Sequence, residues 1–115
     1  MMAEIPEPIK EQCEEKGGMK GIIARLPEAR ALKNRAQLFQ ALGDPMRLKI
    51  LLAVNEQPLC ACLIREMLGI SDSKLSYHLT VLKKAKLITG KKRGQWIIYG
   101  VTEMGRRLVE IIEAI

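Results

Sequence analysis

The 115-residue sequence has few aromatic side chains, since Phe, Tyr and Trp together make up 3% of it. With a hydrophobic content of 48%, a core must therefore be built from Leu, Ile, Val, Ala and Met. A surface that stacks unpaired bases on exposed aromatic rings needs more aromatics than this chain has. The length predicts one domain with one core.

Other absences exclude further classes of protein. No apolar run approaches the roughly 18 residues needed to cross a bilayer, and no apolar segment follows a basic start as in a signal peptide. We therefore expect a cytoplasmic protein with no membrane partner. Three cysteines, an odd number, do not indicate a disulfide framework and predict reduced thiols. A single His, no grouping of nucleophile, His and carboxylate, and no glycine-rich phosphate loop argue against an enzyme.

Charge is present but unevenly distributed. The net charge is +6, yet residues 1–18 are acidic, and they predict a flexible N-terminal arm before a domain at 19–115. Between residues 73 and 93 no acidic residue occurs among seven basic ones: Lys74, Lys83, Lys84, Lys86, Lys91, Lys92 and Arg93. An ordinary solvated face usually mixes the two signs. Such segregation favours phosphate binding, with nucleic acid ahead of an anionic membrane.

Capping and periodicity predict a mostly α-helical fold with a small β-hairpin. Helices are expected at 19–26, 28–42, 59–68, 72–84 and 103–115, and Asp44-Pro45 marks the start of another. Strands are expected at 87–89 and 95–101, joined by a basic turn at 90–94. We expect Thr102 to cap the last helix, and Trp96 and Tyr99 to pack and anchor the hairpin.

The helices at 59–68 and 72–84, separated by Gly69, fit a helix-turn-helix. Projected at 100° per residue, Leu75, Leu79 and Leu82 form one stripe that must face the core. The outward side is polar or basic, which suits base edges and phosphates in a major groove. The predicted DNA-binding residues are Ser73, Lys74, Ser76, Tyr77, Thr80 and Lys84 on the helix, and Lys91, Lys92 and Arg93 on the hairpin.

Several of these segments resemble one known family. FQALGDPMRLKIL at residues 39–51 resembles the opening signature of the ArsR/SmtB metal-sensing repressors. Residues 70–71, 75–79, 82, 87 and 94–96, with Tyr99, resemble the reading helix and wing of that family. The resemblance implies a winged helix-turn-helix homodimer that binds a palindromic duplex operator and is released by an inducer. It also implies a dimer interface formed by the N- and C-terminal helices.

Cys60-Ala61-Cys62 resembles the Cys-x-Cys start of the first motif helix in the arsenic, cadmium and lead sensors of that family. The arsenic type has a third cysteine three residues further on, where this chain has Arg65. The resemblance to sensors with N-terminal cysteines implies Cys13 as the third ligand. It therefore implies a regulatory As(III), Cd(II) or Pb(II) site at Cys13, Cys60 and Cys62, and no constitutive cofactor.

Geometry adds a condition to that site. Positions i and i+2 do not share a helix face, so both cysteines can ligate only where the helix start is irregular or unwinds. Cysteine is also often a small buried hydrophobe, which is the alternative for this pair. Zinc sensors of the family bind the metal with His and carboxylate side chains on the last helix. The last helix of this chain has Glu103, Glu110 and Glu113 but no His. His78, inside the reading helix, is expected to be packed or to face a phosphate.

The expected function is a repressor released from its operator by a thiophilic metal or metalloid bound at cysteine thiolates. Two alternatives keep the DNA binding but change the signal: a thiol-redox-responsive regulator, or a regulator that needs no inducer. A winged helix that serves only to dock another protein is a third alternative, and it would lack the steep salt dependence of phosphate contacts.

Overall fold

The structure, a computed structural model, describes residues 4–115. These residues form helices and three short strands, which confirms the predicted mostly α-helical class with a small β-hairpin. None of the helices among them is long and apolar enough to cross a membrane. In chain order the elements are α1 Glu7–Glu15, α2 Gly18–Arg25, α3 Ala29–Leu42, α4 Pro45–Glu56, β1 Leu59–Cys60, α5 Ala61–Leu68, α6 Asp72–Lys84, β2 Ile88–Arg93, β3 Trp96–Val101 and α7 Glu103–Ala114.

The chain divides into two compact units, one ending at Lys33 and the other running from Asn34 to Ile115. In the first unit, α1 and α2 are joined at Gly17, whose φ of 89° lies in the left-handed region that glycine adopts without strain. The flexible arm predicted at 1–18 contains a helix at Glu7–Glu15, which the sequence analysis does not predict. Pro8 lies in the first helical turn, where its missing N–H costs no hydrogen bond, and so it begins a helix instead of breaking one. Residues 1–3 of the predicted arm lie outside the described part of the chain.

The core of the second unit is aliphatic, as the scarcity of aromatic residues predicts. It draws on every element from α4 to α7, and full burial of one such side chain contributes about 1.5–3 kcal/mol. The predicted stripe of α6 is confirmed, because all three of its leucines are buried. The largest fully buried side chains are Ile50, Leu51, Val54, Ile64, Leu82, Leu87, Ile88 and Val109.

Helix α4 begins at the predicted Asp44-Pro45 signal. The Asp44 Oδ1 accepts hydrogen bonds from the N–H of Met46 at 2.8 Å and from that of Arg47 at 3.3 Å. Partial burial raises the pKa of this carboxyl, but the two N–H donors and the nearby Arg47 outweigh it, and the net pKa lies below the ordinary value. The cap is therefore charged at neutral pH, where it also complements the positive end of the helix dipole.

The sheet has the order β1-β3-β2, with both pairs antiparallel. Strand β1 is a correction, because we expected the helix to begin at residue 59. Instead Leu59 pairs with Tyr99 and Cys60 pairs with Ile98, and the helix starts at Ala61. The partner strand is distant in the chain, so local patterns cannot reveal the pairing.

The hairpin differs from its predicted boundaries. Strand β2 continues to Arg93, and the turn consists only of Gly94, with φ 61°, and Gln95. The predicted turn residues Lys91, Lys92 and Arg93 are therefore strand residues, paired with Ile98, Ile97 and Trp96. Pairing with the apolar β3 strand outweighs the low strand propensity of Gly and Lys.

The C-terminal helix α7 is capped by Thr102, as predicted. The Thr102 Oγ1 accepts from the N–H of Gly105 at 3.0 Å and donates to the carbonyl of Lys86 at 2.7 Å. A Cβ on Gly105 would collide with the carbonyl of Leu87 and with Val101. The close packing of α7 on the loop after α6 therefore depends on a glycine at this position.

Candidate nucleic-acid interface

The outward face of α6 carries the side chains that the sequence predicts for DNA contact. Ser71 caps the helix, because its Oγ accepts from the N–H of Lys74 at 3.2 Å. Tyr77 is the largest side chain on this face and is 61% exposed. All six predicted residues of α6 are exposed on the side away from the buried leucines: Ser73, Lys74, Ser76, Tyr77, Thr80 and Lys84.

The turn between α5 and α6 sets the angle of this helix. Gly69 ends α5 with φ 63°, and its N–H donates to the carbonyl of Arg65 at 2.8 Å. The Arg65 guanidinium then pairs with the Asp72 carboxylate at 3.3 Å across the turn. Both partners are exposed, so this pair contributes about 0–1 kcal/mol and serves mainly to orient the two helices.

The hairpin presents its basic residues on two faces. Lys91, Lys92 and Arg93 are all exposed. Because side chains alternate along a strand, Lys91 and Arg93 share one face and Lys92 lies on the other. All three are available to a polyanion, but from a strand and not from a loop.

The two hairpin aromatics differ from each other. Tyr99 is buried, as predicted, and the Lys83 ammonium lies 5.8 Å from the centre of its ring. Trp96 is 52% exposed, so the expectation that it anchors the hairpin is wrong. It pairs with Arg93 next to the turn, where its neighbours on both strands are also exposed.

A hydrogen-bond network that the sequence does not predict connects α3 and α4 with α6, the reading helix, through Arg47. Its Nε donates to the carbonyl of Ala41 at 2.7 Å, and its Nη2 donates to the carbonyl of Gln40 at 3.3 Å. Its Nη1 lies 3.1 Å from Nδ1 of His78. Arginine can only donate, so Nδ1 accepts and the ring proton of His78 is on Nε2. The guanidinium also lies 5.9 Å from the centre of the Tyr77 ring.

A sequence signal for this network exists. Arg47 is spaced three, four and seven residues from Ile50, Leu51 and Val54, which places a cation on the buried stripe of α4. A cation on a core face needs partners, and the structure supplies them from two other helices. His78 is expected either to be packed or to face a phosphate. It is half-buried beside Arg47, so it is packed.

The two neighbouring cysteines meet at the start of α5. Cys60 is extended, with φ −76° and ψ 157°, and lies just before the helix, whereas Cys62 is in its first turn. The Cys62 thiol, donating to the Cys60 sulfur, lowers the pKa of Cys60 and raises the pKa of Cys62. The predicted condition for both to act together, an irregular helix start, is thus present.

The third cysteine belongs to the other unit. Cys13 lies on α1 and is half-buried. Among residues 4–115 no three His, Cys, Asp or Glu side chains are grouped to hold a metal ion. Cys60 and Cys62 therefore place two soft sulfur donors together at the start of α5.

The chain is similar to bacterial and archaeal regulators. Residues 44–89 match the family described as "Bacterial regulatory protein, arsR family". An uncharacterized HTH-type transcriptional regulator of Methanocaldococcus jannaschii is 37% identical over 81 residues, which are 70% of this chain and 89% of that protein. The arsenical resistance operon repressor of Bacillus subtilis is 37% identical over 73 residues, which are 63% of this chain and 70% of that one.

Solved structures show the same fold. The homodimeric winged helix-turn-helix DNA-binding domain of a "possible ArsR-family transcriptional regulator" from Mycobacterium bovis superposes with a TM-score of 0.70. Its identity is 23%, with 77% of this chain and 85% of that one covered. The matched segment, 44–89, contains α4, both motif helices and the start of the hairpin. The chain therefore belongs to the ArsR family of winged helix-turn-helix repressors, which are DNA-binding transcriptional regulators and not enzymes.

Proposed function

We propose that the chain represses transcription as a homodimer on a palindromic duplex operator, and that a thiophilic ion bound at its cysteines releases it. The observation that carries the DNA-binding part is the exposed polar and basic face of α6, opposite its buried leucine stripe. With no acidic residue between 73 and 93, a phosphate backbone meets only positive or neutral groups.

In this proposal α6 enters the major groove with its N-terminal end first. Base edges and phosphates are contacted by the hydroxyl groups of Ser73, Ser76 and Thr80 and by the phenol of Tyr77. Lys74 and Lys84 bind phosphates near the two ends of the helix. The hairpin residues Lys91, Lys92 and Arg93 bind the backbone beside it, which adds affinity without reading sequence.

Exposed apolar side chains support the homodimer. Phe39 on α3 is 65% exposed, and Ile111 on α7 is also exposed. Burying such side chains contributes about 25 cal/mol per Å² of apolar surface removed from water. A second copy of the chain that covers α3 and α7 would supply that burial and place two α6 helices on one operator.

The inducer part is supported by the donor set. Thiolate sulfur is a soft ligand suited to As(III), Cd(II) or Pb(II), and Cys60 and Cys62 lie together at the start of α5. Cys13 is proposed as the third sulfur, from the same chain or from its partner. The thiolate ligands must stay reduced, so the proposal also places the protein in the cytoplasm.

The chain offers a route from the thiols to the DNA-binding surface. The backbone of Cys60 pairs with Ile98 of β3. Cys62 lies in α5, the helix that a short turn connects to α6. Drawing both sulfurs and Cys13 toward one ion would move β1 relative to α5. Both the hairpin and the reading helix would then shift from their DNA-binding positions.

The test uses a duplex selected from a random-sequence library by the reduced protein. Arsenite, cadmium and lead are titrated into the complex while DNA release and thiolate-to-metal absorption are recorded. We expect release by at least one ion, with loss of release in Cys60→Ser and Cys62→Ser. Cys13→Ser should weaken the response if Cys13 is the third donor. If the DNA is bound but no ion releases it, the inducer part fails while the DNA-binding part stands.

Thiol oxidation is the second candidate, favoured by the Cys62 thiol beside Cys60, which lowers the pKa of Cys60. Hydrogen peroxide would oxidise the two thiols to a disulfide and be reduced to two waters. Mass spectrometry would then show the loss of two hydrogens in the peptide carrying both cysteines, together with DNA release. If neither ions nor peroxide release the DNA, signalling through the cysteines is excluded.

A further inference from the structure

Arg47 is a buried cation that pairs with no carboxylate among residues 4–115. It is 8% exposed, and its three hydrogen bonds go to two carbonyls and an imidazole, all of them neutral. The ion pairs found in residues 4–115, Arg65 with Asp72 and Arg106 with Glu103, do not include it. Buried charges in proteins are almost always paired with an opposite charge.

Nearby groups offset only part of this charge. The two carbonyls end helix α3, where the helix dipole is equivalent to roughly half a negative charge. Asp44 is close enough for Arg47 to lower its pKa, but its Oδ1 accepts from the N–H groups of Met46 and Arg47. Arginine has five N–H donors, of which three are used here, so donors remain for an additional anion.

The same arginine lines a cavity of about 320 Å³ in the second unit. A second cation, Lys84, lies on its wall, and no acidic residue does. Two carboxamides and one phenol supply further hydrogen-bonding groups, and small apolar side chains supply the rest. The lining consists of Gln37, Gln40, Ala41, Arg47, Tyr77, Val81, Lys84 and Ala85.

We propose that this cavity binds a small organic anion, a carboxylate attached to a compact apolar or aromatic group. The carboxylate would lie between Arg47 and Lys84, and the apolar group would contact Ala41, Val81 and Ala85. The volume is at the lower end of small-molecule pockets, which begin at about 300 Å³. A recess with an apolar part suits an organic anion better than a DNA phosphate, which carries no apolar group to fill it.

The site would act on DNA binding from a place separate from the cysteines. Its walls come mainly from α3, α4 and α6, and Tyr77 and Lys84 belong both to the cavity and to the proposed DNA surface. An anion bound there would therefore compete with DNA for those two side chains. This inference does not depend on metal binding at Cys60 and Cys62.

The test titrates benzoate into the full-length, ¹⁵N-labelled protein and follows the backbone amide resonances. We expect saturable shifts centred on Tyr77, Val81 and Lys84, and none of comparable size with benzyl alcohol or benzylamine. Gln37 is exposed, so Gln37→Glu should fold normally while placing a carboxylate at the cavity. It should weaken benzoate binding at least tenfold. Gln95→Glu makes the same charge change in the hairpin turn and should leave binding unchanged.

Three results would overturn the proposal. Benzoate could cause no saturable shift at these residues, benzyl alcohol could bind equally well, or Gln37→Glu could bind benzoate as the parent does. If benzoate does not bind but Gln37→Glu weakens binding to the selected duplex far more than Gln95→Glu does, the cavity receives a DNA phosphate instead. Thermal unfolding of both variants confirms that each is folded.

Discussion

The Arg47 Nη1 donates to the His78 Nδ1 at 3.1 Å, and this bond joins α4 to the middle of the reading helix. The same guanidinium holds the carbonyls at the end of α3. The guanidinium therefore links the end of α3, the helix proposed for the dimer interface, to α6. Tyr77, a proposed DNA contact, is next to His78, and its ring centre lies 5.9 Å from the guanidinium.

Replacing His78 should show the value of this bond. His78→Ala removes the acceptor and leaves a buried donor of Arg47 unpaired, which we expect to lower the free energy of unfolding by about 1.5–3 kcal/mol. Urea denaturation measures the change. His78→Gln is the control, because its carbonyl oxygen can accept the same hydrogen bond. Equal losses in the two variants would show that the bond to Arg47 does not stabilise the fold.

The cap of α4 predicts a pH dependence. The folded-state pKa of Asp44 lies below its ordinary value of 3.8, so its contribution to stability is present above that value. It is lost as pH falls through the lower, folded-state pKa. Asp44→Asn keeps a capping oxygen but no charge, so the parent should be the more stable protein at pH 6, with the difference shrinking toward pH 3. Thermal unfolding of both proteins across that range provides the measurement, and a constant difference would contradict the prediction.

Two glycines provide a matched pair for α7. Gly105→Ala drives a methyl group into the Leu87 carbonyl and Val101, and should cost about 1–3 kcal/mol, as overpacking does. At Gly100, in β3, a methyl group would meet no atom within 4 Å, so Gly100→Ala should be close to neutral. Chemical denaturation compares the two. Similar effects in both would mean that α7 does not need the close approach at Gly105.

The hairpin cations should account for part of the salt dependence of DNA binding. Log affinity falls linearly with log salt concentration, and each phosphate contact contributes roughly 0.9 to the steepness of that slope. The double variant Lys91→Ala/Arg93→Ala should therefore make the slope less steep by about 2. Fluorescence anisotropy with the selected duplex at several salt concentrations gives the slope. Lys49→Ala, at an exposed position on α4 outside the proposed surface, should leave it unchanged. An unchanged slope in the double variant would remove the hairpin from the DNA interface.

The thiol pair predicts a difference in alkylation. The Cys62 thiol lowers the pKa of Cys60, so Cys62→Ala should raise that pKa and reduce the thiolate fraction of Cys60. Iodoacetamide should then modify Cys60 more slowly at pH 7.5, as followed by mass spectrometry. Cys13, on a separate helix, serves as the internal reference. Faster modification of Cys60 in the variant would show that Cys62 shields it and does not activate it.

Local chemistry determined several features that could be predicted from the sequence alone. Asp44 and Thr102 each cap the helix that the sequence assigns to them. A cap depends on the side chain and on N–H groups two or three residues further on, so no distant contact is needed. The leucine stripe of α6 is likewise a matter of helical periodicity. The family resemblance rests on these same local segments.

Only the tertiary structure decided the features that depend on distant partners. Cys60 lies outside the helix because β3 offers it a pairing edge, and this pairing is what brings the two thiols together. Trp96 is half exposed at the end of the hairpin, although its hydrophobicity favours burial. Arg47 is buried because carbonyls of α3 and an imidazole of α6 converge on it. For Cys60 and Arg47 the deciding atoms come from another part of the chain, and folding alone brings them together.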